Sequence, residues 1–61
     1  MDQVIKEINT ELFAAKMFYE MKNPDAYKIS MIRVAAMLRV LNMMSGKNFG
    51  VVGDAVQEVE E

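Results

Sequence analysis

The sequence contains no cysteine, no histidine and no tryptophan, a single proline and three glycines. Without cysteine no disulfide can form, and without cysteine or histidine the usual zinc ligand sets are missing. The same two absences remove the commonest general base and the thiol nucleophile. Ser30 and Ser45 are the only serines, and Ser45 beside Lys47 has no spacing that marks a Ser–Lys catalytic pair. Glu7 and Glu11 stand at i, i+4, but bundle metal sites normally add Glu-x-x-His, which this chain cannot supply. The stretch Gly46-Lys47-Asn48-Phe49-Gly50 lacks the spacing and the preceding strand of a phosphate-binding loop. The expectation is therefore no enzyme, no cofactor and no metal.

Long apolar runs are missing too. The most apolar stretch, from Ile29 to Met44, is broken by Ser30, Arg33, Arg39 and Asn42. A membrane-spanning helix needs about 20 apolar residues, and a central arginine is costly there. Asp2 and Lys6 near the start do not form a basic leader followed by an apolar core, so the expected location is cytoplasmic. Charge of one sign is also scarce. Seven basic against nine acidic residues give a net charge of −2, the wrong sign for a dedicated nucleic-acid binder.

What remains is a 61-residue chain rich in helix-favouring Ala, Met, Leu, Glu and Lys. At this length burial and chain ordering nearly cancel, and small domains usually need a disulfide, a metal or a partner. With the first two excluded, oligomerisation is expected. Asn23-Pro24-Asp25 is the one clear break: Asn suits an N-cap, Pro the first helical position and Asp the positive first turn. The sequence predicts an all-α fold. Residues 1–45 form an antiparallel helical hairpin with helices over about 2–22 and 24–45, capped by Asp2 and stopped at Ser45-Gly46. One continuous helix kinked at Pro24 is the competing reading. Residues 46–61 read as a C-terminal loop or short extended segment. Asp54 followed by Gln57 resembles a capping box, so a short, fraying third helix is expected over Ala55 to Glu61.

Turning each helix at 100° per residue shows where it must be covered. In the first helix Val4, Ile5, Ile8, Leu12, Ala15 and Tyr19 share one stripe. Phe13, Met17 and Met21 run along the far side, flanked by Ala14 and Phe18. The second helix has two opposed stripes: Ile29, Ile32, Ala36, Val40 and Met43, and Tyr27, Met31, Val34, Leu38 and Leu41. Two stripes require two neighbours. The second stripe, from Tyr27 to Leu41, is assigned to a homodimer interface that builds a four-helix bundle. Phe13, Met17, Phe18 and Met21 are left as either a tetramer contact or a docking patch for a protein partner. Phe49, Val51, Val52 and Val56 offer another cover for part of this surface by folding back.

The leading functional expectation is a small non-enzymatic interaction module: a regulator, adaptor or inhibitor that presents apolar helical surfaces as a homo-oligomer. A nucleic-acid-binding bundle is the alternative, with Lys28 and Arg39 on one ridge as contacts. Its layout is shared with small dimeric RNA-binding four-helix bundles, though no motif is. Association of the second helix with a membrane surface is a further alternative.

Overall fold

The computed structural model describes residues 2–59. Helix α1 spans Asp2–Glu20 and helix α2 spans Pro24–Ser45, joined by a three-residue corner and packed side by side as a hairpin. Strands β1, Phe49–Val52, and β2, Ala55–Glu58, follow as a two-stranded antiparallel sheet. The helical hairpin is as expected; the sheet is not.

Local chemistry accounts for the helix ends. The N–H of Asn23 donates to the Phe18 carbonyl at 3.0 Å and the N–H of Lys22 to that of Tyr19 at 3.1 Å. This is a Schellman ending, and it stops α1 at Glu20, short of the expected Lys22. The left-handed residue it requires is Lys22 itself, with φ 59°. Asn23 then caps α2, its Oδ1 accepting from the Ala26 N–H at 3.3 Å, with Pro24 opening the helix. Gly46, at φ 69°, closes α2 and donates to the Asn42 carbonyl at 3.0 Å.

The expected third helix is corrected to a strand over its first part, while Glu60 and Glu61 lie outside the described residues. The reason is the Gly53-Asp54 pair. Val52 pairs with Ala55, so only these two residues form the connection, and Gly53 has φ 65°. Positive φ at the first of two loop residues is the hairpin geometry that glycine favours. Asp54 is thus a turn residue rather than a helix cap, and its carboxylate lies 3.6 Å from the Lys16 ammonium.

The core joins all the layers. Ile8, Leu12 and Ala15 from α1, Val34 and Leu41 from α2, and Val56 from β2 are buried, with Ile8 and Leu41 fully so. Val4, Ile5, Met31, Met37, Leu38 and Phe49 pack around them. Phe49 and Val56 do fold back onto the helices, but Val51 and Val52 remain largely exposed.

Two asparagines tie the sheet down. In the observed register Phe49 and Val56 turn their backbone polar groups away from the facing strand. The Phe49 N–H donates to Asn42 Oδ1 at 2.7 Å, and Asn42 Nδ2 donates to the Phe49 carbonyl at 3.3 Å. The Val56 N–H donates to Asn9 Oδ1 at 2.8 Å. Helix α2 thus bonds both backbone groups of Phe49 in β1, and α1 bonds the N–H of Val56 in β2.

Candidate interaction surfaces

The two opposed stripes of α2 meet different fates. Tyr27, Met31, Val34, Leu38 and Leu41 face α1, with Val34 and Leu41 buried and the other three partly buried. This corrects the expected dimer interface, since those side chains belong to the core of a single chain. The outward stripe is the other one. Ile29, Ile32, Ala36, Val40 and Met43 are all exposed, Ile32 at 60% and Met43 at 78%.

The flanking residues decide which stripe is inside. Beside the inner stripe stand Ser30 and Asn42, which are small or neutral. Ser30 is buried, and Asn42 is bonded to β1. Beside the outer stripe stand Lys28 and Arg39 on one flank and Arg33 on the other. Turning α2 over would press these cations against α1, and burying charge is costly. Arg33 lies 3.4 Å from the Glu11 carboxylate of α1, an ion pair that suits the observed orientation. Lys28 and Arg39 are exposed and join none of the ion pairs formed among the described residues.

On α1 the proposed patch is only partly assembled. Met17 (43%) and Met21 are exposed along the far side of α1, while Phe13, 65% exposed, lines the cleft that α1 shares with Tyr27, Met31 and Val51. Phe18 turns to the flank and is half-buried, so the exposed patch reduces to three residues. Tyr19, expected in the inner stripe, is exposed, its ring centroid 5.5 Å from that of Tyr27 and tilted by 56°.

A cleft of about 460 Å³ separates these tyrosines from the β-turn, with Leu12, Ala15 and Met31 also in its lining and the Lys16–Asp54 pair at its rim. Among the described residues no three Asp or Glu side chains converge as they would around a metal ion. No helix among them is long and apolar enough to cross a membrane.

Sequence reasoning missed the anchoring roles of Asn9 and Asn42, reading both as solvated polar positions. A usable signal was present: each lies on the flank of its helix next to the inner stripe, facing the side where the returning chain must lie. Compared with known protein families, with curated proteins and with solved structures, the chain has no significant match to any of them.

Proposed function

We propose that this protein is a small non-enzymatic interaction module that works as a homo-oligomer through its apolar helical surfaces. The observation that carries the reading is the outer stripe of α2, an apolar strip exposed along most of a 22-residue helix. Such a strip is expensive to leave in water, because each Ile, Val or Met is worth about 1.5–3 kcal/mol when fully buried.

Surface area supports the same reading. The chain exposes 4698 Å², whereas a compact monomer of this mass exposes about 4,000 Å². The excess of about 700 Å² is close to the 800 Å² or so that each partner contributes to a standard interface. Its radius of gyration, 11.7 Å, likewise exceeds the value of about 10.5 Å for a compact domain of this length.

Sedimentation velocity over a micromolar concentration series tests the proposal. A dimer or larger species is expected. A compact, folded monomer throughout the series would refute it. Met17→Glu in the same series locates the contact: the oligomer is expected to persist, and its loss would move the interface to α1.

A further inference from the structure

We infer that the outer face of α2 meets the same face of a second copy, antiparallel, about a two-fold axis passing at Ala36. The inference rests on the self-association proposed above and adds the surface, the direction and the register.

The spacing of the stripe is the first support. Ile29, Ile32, Ala36, Val40 and Met43 follow one another in steps of 3, 4, 4 and 3, a pattern that reads the same in both directions from Ala36. A two-fold contact between antiparallel helices requires a surface to match its own reversal. Here the reversal places Ile29 opposite Met43, Ile32 opposite Val40, and Ala36 opposite itself. The smallest side chain stands at the crossing point, where two helices approach most closely. The larger ones stand to either side, where the separation is filled. Val40 follows Ile29, and Met43 follows Ile32, at the 11-residue interval that suits straight or slightly right-handed helix contacts.

Charge is the second support. The same register sets Asp25, in the first turn of α2, beside the residues just past the end of α2 in the second copy, where the exposed ammonium of Lys47 lies 3.7 Å from Glu58 of its own chain. Arg39 comes level with Arg33 of the second copy, a cation whose charge is already paired with Glu11 of its own chain at 3.4 Å. Antiparallel α2 helices also place each positive helix end beside a negative one, whereas a parallel pair would align like ends. The groove lined by Val4, Ala36, Met37 and Val40 is continuous with this face and widens the apolar surface available to the second copy.

The chain has no cysteine, so a single introduced thiol reports cleanly. Ile29→Cys and Met43→Cys are both at exposed positions and should leave the fold intact, which circular dichroism checks. With a short bismaleimide, an equal mixture of the two variants is expected to yield cross-linked dimer, while either variant alone is not. In the antiparallel arrangement identical positions 29 lie about 21 Å apart along the axis at 1.5 Å per residue. Ile32→Asp is expected to raise the dimer dissociation constant at least about 100-fold, and Phe13→Asp to leave it within about threefold. Contacts between Ile29 and Met43 methyl groups in isotope-mixed wild-type protein give the same test without substitution.

Self-cross-linking of each variant alone would mean a parallel pair and overturn the inference. A sedimenting dimer in which no combination cross-links would also overturn it, while leaving self-association standing. A monomer that binds anionic vesicles through α2 would overturn both.

Discussion

Asn42→Ala offers the sharpest probe of how this chain holds itself together. The substitution removes an acceptor 2.7 Å from the Phe49 N–H and a donor 3.3 Å from the Phe49 carbonyl. A hydrogen bond contributes about 1 kcal/mol net, and a partly buried group left unpaired costs somewhat more. The second bond is long, so the pair together is worth about 2 kcal/mol. A two-stranded hairpin with four-residue strands is barely stable alone. The loss should therefore appear as local opening of the sheet rather than as global unfolding. Hydrogen exchange by NMR is the assay. The Val59 amide, which donates to the Asn48 carbonyl at 2.7 Å, should exchange about 30-fold faster. Amides beside Ile8 and Leu12 should change far less. Asn42→Asp should not rescue the sheet, because its second oxygen would face the Phe49 carbonyl in place of a donor. Unchanged protection of Val59 in Asn42→Ala would refute the anchoring argument and leave Phe49 and Val56 packing as the main tether.

Other substitutions separate core from surface. Leu41→Ala should destabilise the whole chain by about 2–5 kcal/mol in urea melts, because its side chain is fully buried. Leu38→Glu should be at least as severe, whereas Met17→Glu should keep its helicity and melt within about 0.5 kcal/mol of the parent; equal damage from both would make the outer face of α1 part of the core. Gly53→Val should open the hairpin by about 1–2 kcal/mol, seen as faster exchange of the strand amides with the helices intact, since φ is 65° there. Lys22→Gly should raise thermal stability by about 1 kcal/mol by relieving a left-handed lysine.

Much of the helical architecture was legible in the residues. Asn23-Pro24-Asp25 marked the start of α2 to the residue, and Gly46 its end, because caps have strong local chemistry. The inner stripe of α1 was also readable from periodicity, as Ile8, Leu12 and Ala15 show. The orientation of α2 was not, because both of its stripes are apolar and periodicity alone cannot rank them. Attention to the flanks would have helped: three cations border one stripe, and Ser30 with Asn42 borders the other. The sheet was missed for a different reason. Asp54 followed by Gln57 fits a helix cap, but Gly53-Asp54 between Val52 and Ala55 fits a two-residue hairpin equally well. Val51, Val52 and Val56 favour the latter. On the candidate surface, the three exposed members of the α1 patch were readable, but the half-burial of Phe18 depends on its flank position beside α2.

The corner between the helices has a consequence for how the molecule could vary. Asn23 serves two helices at once: its N–H completes the ending of α1, and its side chain begins α2. Such a joint has no slack, so it fixes the rotational phase of one helix against the other. Inserting one residue into α2 between the joint and Tyr27 would advance everything downstream by about 100°. The core stripe would then swing toward a flank, Arg33 would leave Glu11, and Asn42 would lose the edge of β1. A change of two residues would carry the outer stripe most of the way inward, exchanging the buried face of α2 with its exposed one. The connection thus works as a phase selector, and its length, as much as any side chain on α2, determines which surface the protein shows.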